Sequence, residues 1–561
     1  MLCADIMKRR SALKLIGAGG LALYLKGCFP FGKDTKQPAL STDLLKISPI
    51  DRSIGDKAAR SFSGDNPTRA HAALWNKSGY LTAKKTDGSI EKAQLVVVGG
   101  GMSGLFTSYL LKDLKPVVLE QAPRFGGNAR GESWRGIDYA LGAAYFMKPE
   151  DGSAWQKLLT EIGADKVWRV KTGDDPVAWQ NRVYTEFWEG STAPKAKAQL
   201  KKLAKHFSDM NAGQNGLIYP DIPTADPEHR KYIDSLDRVS LRDYVQKVAG
   251  EKVHPHIETV IEHYCWSTFG ASSAEISAAS GLNNFAAEFA EMVVLPGGNA
   301  HVAELTLKKL LQTLPAGNLR ASSLVIDVKV GTNGVHVLYE NEAGELKEIL
   351  AQSVVMACPK FVVGKVLTGI EPERASAVSK LKYRSYLVGN VLLNGVTEKN
   401  FYDLFLLHDA KIDFKDIKST SDSHQVTDVV LGTFAKSSNT DTVLTLYRGL
   451  PYDGARAMIY AEQAYDAIRA DFEKQINEAI LPLMGFKTDN IVDVRITRWG
   501  HPMPVSSIGH IADGVTDLIR KPFGERVFFV EQDNWMLPCI ETCAAEALAI
   551  APEVRRAVTK V

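Results

Sequence analysis

The sequence predicts an α/β fold: a parallel sheet assembled from three separated stretches of chain, with an α+β unit inserted between them. Three observations predict it. A strand, a glycine turn and a helix follow one another from Gln94 to Leu114, and a second strand ends at Glu120. A hairpin and a further apolar strand occupy 323–359. A last strand, Arg526 to Val530, runs into an Ala-rich helix near the C-terminus. The chain has 561 residues, too long for one simple core, and its 45% hydrophobic and 24% charged content is that of a globular protein. The expected division is a leader at 1–28, an extension at 29–92, the parallel-sheet domain at 93–149, 291–371 and 506–561, and the inserted domain at 150–290 and 372–505.

Taken in order, the leader comes first. Lys8-Arg9-Arg10-Ser11-Ala12-Leu13-Lys14 precedes a short apolar stretch, Leu15 to Leu25. A basic start and a short apolar centre describe a signal peptide, and the paired arginines resemble the twin-arginine export signal, with Ala12 where a bulky apolar residue is usual. The expectation is an exported, periplasmic protein. Leu25-Lys26-Gly27-Cys28 resembles a lipoprotein cleavage box, which makes Cys28 a candidate lipid anchor. An amphipathic or disordered tail is the other reading. From Phe29 to about Lys92 no period is clear, and the stretch reads as a spacer or wrapping extension.

The next stretch carries the first chemistry. Gln94-Leu95-Val96-Val97-Val98 reads as a buried parallel strand. Gly99, Gly101 and Gly104 fill the positions of a G-x-G-x-x-G turn, and the helix opening at Met102 and Ser103 offers free N–H groups to phosphate. Pro116 to Glu120 is the following strand. Its terminal acid, Glu120, is suited to accept hydrogen bonds from a ribose. A lone glycine turn is weak; between a strand and a helix, with an acid ending the next strand, it marks a dinucleotide site.

Glu120-Gln121-Ala122-Pro123-Arg124-Phe125-Gly126-Gly127 matches E-x-x-x-R-x-G-G and continues into Asn128. On these residues the chain resembles the flavin amine oxidase and phytoene-desaturase superfamily. The resemblance implies a discontinuous Rossmann-like FAD-binding domain with an inserted α+β substrate domain. It implies FAD held by Gly99, Gly101, Met102, Ser103, Gly104, Glu120, Arg124, Gly126, Gly127 and Asn128, with Arg124 near the phosphates. Glu531-Gln532-Asp533 stands where the family has a small residue, glycine and an acid, so Asp533 is expected at the ribityl or phosphate group. A helix beginning near Ile540 is expected to point its N-terminus at the flavin ring. Val325 in the 323–330 strand is expected against the adenine. Gln532 and Thr542 replace family glycines, and Cys539 stands where amine-oxidising members often carry an aromatic residue.

The inserted domain is less explicit. Thr497-Arg498-Trp499-Gly500-His501-Pro502 lies where the family places residues over the flavin, so Trp499, His501 and the loop residue Trp535 are the catalytic candidates; Tyr264 and Trp266 are weaker ones. An aromatic wall would hold a cationic amine by its π-face. The alternative for each is an ordinary core aromatic.

Several classes are disfavoured. Net charge is +2, from 67 basic and 65 acidic residues, with no basic run of the nucleic-acid-binding kind. The six cysteines form no CxxC pair, and no HExxH occurs, so no metal is expected. Cys539 and Cys543 read as small buried residues rather than a redox pair. The resemblance implies oxidation of a C–N bond of an amine or polyamine by hydride transfer to flavin N5. Oxygen, a quinone or a cytochrome would then be the electron acceptor. Two rivals remain: a C–C desaturase or isomerase, and an FAD-retaining binding protein without turnover. An aromatic cage with a nearby carboxylate would favour the amine, and a wide apolar tunnel the C–C chemistry.

Overall fold

A computed structural model describes residues 42–57, 60–84, 86–408 and 411–559. The export motif and Cys28 lie outside the described residues. The parallel sheet runs, in spatial order, Leu319–Arg320, Val117–Leu119, Thr86–Val98, the C-terminal half of Leu346–Met356, and Val527–Phe529. Val354 pairs with Val96 on one side and Val527 on the other, so a strand from the chain's end sits two places from the strand before the glycine turn. Apolar β-branched residues dominate these strands because both faces are covered. The helices Met102–Leu110, Asn299–Thr313 and Ile540–Thr559 pack on one face and share a core through Leu105, Phe106, Val302, Leu307, Ala544 and Ala547.

On the other side of Leu346–Met356, an antiparallel meander adds Gly334–Glu340 and Leu324–Gly331. The first strand begins at Thr86 rather than at Gln94. Residues 86–93 pair with Leu346–Ala351 beyond the apolar run, and much of that stretch is exposed, so no hydrophobic pattern marks it. The extension is also more structured than a spacer. It forms the helices Thr42–Ile47, Thr68–Trp75 and Lys77–Thr82. Ile50–Asp51 pairs with Gly131–Glu132, and Ser63–Gly64 with Thr497–Arg498, tying the extension to both domains.

The inserted domain is a mixed, mainly antiparallel sheet in the order 182–184, 177–179, 403–406, 428–431, 441–450, 383–394, 491–504 and 63–64. Five helices, Lys197–Asn211, Pro227–Leu236, Leu241–Ala249, Pro255–Phe269 and Ala278–Phe285, form a second layer with its own core around Phe207, Ile257 and Phe285.

Candidate functional site

The two domains face each other across a cavity of about 2060 Å³. That is at least about twice the volume of a typical small-ligand pocket, which leaves room for a dinucleotide and a second molecule.

One end is made of backbone. Gly99 has φ +111, and a Cβ there would meet the Ala357 carbonyl oxygen at 2.3 Å. A Cβ on Gly104 would lie 1.9 Å from the Gly99 oxygen, so only glycine lets helix and strand meet this closely. Gly101 and Gly126 form a bridge that brings the second glycine pair beside the first turn. Glu120 accepts the N–H of Gly100 at 2.7 Å and of Ala122 at 2.8 Å, and its carboxylate lines the cavity. Burial pushes that carboxyl up, partly offset by these bonds and by Arg130. Met102, Ser103, Gly127, Asn128 and Val325 also line this end, and Ile540 opens the last helix at the cavity wall. The helix Thr68–Trp75 contributes Arg69, Ala70, His71, Leu74 and Trp75 to the same wall.

Two expected residues, Arg124 and Asp533, are held otherwise than expected, although Arg124 still lines the cavity. Arg124 turns its guanidinium to the extension, donating to the Leu45 and Ser48 carbonyls and to Asp51 at 2.9 Å, because that segment wraps over it. The cation beside the glycine turn is the half-buried Arg130, which donates to the Gly127 and Gly64 carbonyls and lines the cavity. Asp533 lies beneath the cavity wall. Its carboxylate accepts the Lys360 N–H at 2.9 Å and the Tyr383 hydroxyl, while Glu531 and Gln532 line the cavity.

The catalytic candidates Trp499, His501 and Trp535 all line the cavity, and each already has a partner within the chain. Trp499 is buried, donates to the Leu141 carbonyl at 2.7 Å, and has Arg130 over its ring at 4.8 Å. Its π-face thus meets a cation of this chain. His501 stacks on Phe361 at 4.4 Å, and burial, with Arg456 and His71 nearby, lowers its pKa to about 3. It is neutral at ordinary pH. Trp535 donates to Glu546 and carries Arg520 over its ring at 4.1 Å. Trp266 is core, bonded to Glu262, but Tyr264 lines the cavity.

The other end is made of side chains. Residues directly opposite across strands share a sheet face. Phe405 pairs with Asp428, Asp428 with Tyr447, Tyr447 with Val388, and Tyr386 with Trp499. Asp403 is two residues from Phe405, so it stands on the same face, and all seven residues line the cavity. Tyr145, Tyr264, Ser267 and Glu288 line the cavity from outside this sheet. Glu288 accepts the hydroxyls of Tyr145 at 2.8 Å and Tyr264 at 3.0 Å, and burial lifts its pKa to about 7. Burial raises Asp428 to about 6; burial and then Asp428 push Asp403 well above the ordinary range. This chamber of tyrosines and carboxylates was missed in the sequence. The available signal was an acid opening each of two apolar strands, Asp403-Leu404-Phe405-Leu406 and Asp428-Val429-Val430-Leu431. Lys148 and Lys365 line the cavity, but Lys148 pairs with Glu291 and Lys365 lies over Trp75. Among the described residues no His, Cys, Asp and Glu group is arranged to hold a metal.

Comparison with known proteins agrees with this architecture. Residues 97–162 match the NAD(P)-binding Rossmann-like domain. Oxidoreductase PigB of Serratia sp. (strain ATCC 39006) is 22% identical over 83% of this chain and 75% of its own. Putrescine oxidase, solved with putrescine bound, superposes with a TM-score of 0.61 at 16% identity, over 83% of this chain and 100% of that one. A fatty acid isomerase from P. acnes gives 0.58 at 13% identity, over 82% and 98%. The chain therefore has the fold of the FAD-dependent oxidoreductases typified by the flavin amine oxidases.

Proposed function

We propose that the protein is an FAD-dependent oxidoreductase that oxidises the C–N bond of a cationic amine. The observation that carries this reading is one continuous cavity with a glycine turn at one end and a tyrosine–carboxylate chamber at the other. The residues present fit FAD. The turn leaves open backbone where Cβ atoms would intrude, the N-terminus of Met102–Leu110 faces it, and Glu120 stands where a ribose would lie. Arg130, Asn128 and Gln532 supply polar groups along the path, and the Ile540 helix start supplies positive dipole at its far end. When bound, FAD supplies two-electron oxidation.

This chain's own residues do the rest. The tyrosine rings and buried carboxylates of the chamber favour a cation, the rings through their π-faces and the acids through charge. Glu288, poised near neutrality, can take a proton from an arriving ammonium, as oxidation requires a neutral amine nitrogen. The Thr68–Trp75 helix forms part of the wall around the bound molecules. One feature favours the C–C rival: Leu217, Ile218, Tyr219, Ile222 and Pro223 give part of the cavity lining an apolar character that an acyl chain would suit. Anaerobic titration of the yellow protein with amines and with unsaturated fatty acids separates the two. Bleaching of the oxidised band by an amine is expected. Bleaching or turnover only with the fatty acid would overturn the amine reading.

A further inference from the structure

The helix Thr68–Trp75 precedes the first strand of the parallel sheet and belongs to the extension. Its residues 70, 71, 74 and 75 follow helical spacing and all line the cavity. Leu74 packs on the apolar cluster that contains Val98, Leu119 and Val325. The hairpin beside it is tied to the second strand: Ser323 donates its N–H to the Glu120 carbonyl at 2.7 Å, and Ser322 to that of Ala122 at 2.9 Å. Arg69 donates to the Ser322 carbonyl at 2.9 Å, and so holds the helix on the segment that is itself bonded to Glu120. Arg69 also reaches Glu340, at its carboxylate and its carbonyl, both at 2.8 Å. The buried Glu340 carboxylate receives Tyr80, from the next helix, and Lys84, just beyond it. A buried acid with three donors is a fixed point, because removing a donor leaves its charge unmatched.

The end of the helix carries a second observation. Trp75 lines the cavity yet is 72% exposed, and Lys365 of the helix Lys360–Val366 lies over its ring at 5.0 Å. Val362 and Val366 line the cavity from that same helix. An indole left in water at a cavity rim, on a helix pinned in place, gains by covering a flat apolar group. We infer that the Thr68–Trp75 helix is the outer wall of the adenosine pocket: Leu74 and Trp75 give the purine its apolar cover, and Arg69 fixes the helix against the hairpin. This rests on the FAD reading and extends the site beyond the parallel-sheet domain. Glu120 and Val325 come from that domain, the wall comes from the extension, and the pocket is complete only with both. The lining at this place, Ala70, Leu74, Trp75, Val362 and Val366, suits a neutral base rather than a phosphate. A helix that merely wraps the fold would confer no preference among ligands.

The test uses the full chain freed of flavin, titrated by calorimetry with FAD, ADP and FMN. The first two carry adenosine and FMN does not. Trp75→Ala is expected to weaken FAD and ADP about tenfold, the loss typical of taking an aromatic ring from a base, and to leave FMN unchanged. Trp75→Phe is expected to restore most of that affinity. Arg69→Ala is expected to weaken the same two ligands, because the helix is no longer held. Trp75 is mostly in water, so ligand-free Trp75→Ala is expected to melt with the parent, which separates a lost contact from a damaged fold. Parental affinity for FAD and ADP in Trp75→Ala, or equal weakening of all three ligands, overturns the wall. If the parent binds FAD in that case, the FAD reading survives. If the parent binds ADP but not FAD, and Trp75→Ala weakens ADP, the adenosine wall stands and the FAD reading fails. A parent that binds neither overturns both.

Discussion

The two ends of the cavity are built on opposite principles. The glycine end would position a ligand with backbone atoms, and its tightness comes from the absence of side chains at Gly99 and Gly104. The tyrosine end would position a ligand with side chains gathered from 145, 264, 288, 386, 403, 428 and 447. Backbone contacts are fixed by geometry and indifferent to pH. Buried carboxylates near neutrality are the reverse. One half of the site should therefore fail by steric intrusion and the other by titration.

The largest expected effect is at the backbone end. Gly104→Val drives a side chain into the Gly99 carbonyl; purified protein is expected to carry less than about a tenth of the parent's flavin by absorbance. A variant with full flavin content would break the comparison. Next, Glu120→Gln keeps the shape but removes the charge that accepts two N–H groups, and FAD affinity is expected to fall about tenfold by fluorescence titration. At the other end, Asp428→Asn should leave flavin content unchanged and raise stability at pH 7 by about 1–3 kcal/mol. The sign follows from a carboxyl raised to about 6: the native state binds more protons than the unfolded one between the ordinary value and 6. Stability is therefore lost as pH rises through that window, and the Asn variant escapes the loss. The difference should vanish near pH 4 in thermal melts. The smallest effect is expected from Tyr264→Phe, which takes one of two donors from Glu288. Its pKa should rise from about 7, moving the acid limb of the kcat/KM profile upward at a cost of about 1 kcal/mol in binding.

The contrast also explains what was legible. The glycine turn and Glu120 are local in sequence, and their spacing states their geometry. The Val527–Phe529 strand was legible because a doubly covered strand is apolar throughout. The chamber is not local. Its acids and tyrosines meet only through the register of a sheet whose strands are separated by long connections, and a single Asp in an apolar strand looks like an end signal. Trp499 and His501 were marked by their place before the last strand, but the partners that occupy them, Arg130 and Phe361, come from elsewhere in the chain. The same is true of Arg124, whose role was decided by an extension with no periodic signature.

That extension has a kinetic consequence. Ile50–Asp51 hydrogen-bonds to one domain and Ser63–Gly64 to the other, and the chain after Gly64 enters the helix Thr68–Trp75, which lines the cavity and is held to the hairpin by Arg69 on Ser322 and Glu340. A nucleotide bound in the cavity would sit behind a strap sewn at two points. Loosening either stitch, for example by Pro substitution at Ser63, is then expected to shorten its dwell time even where the contacts below are untouched.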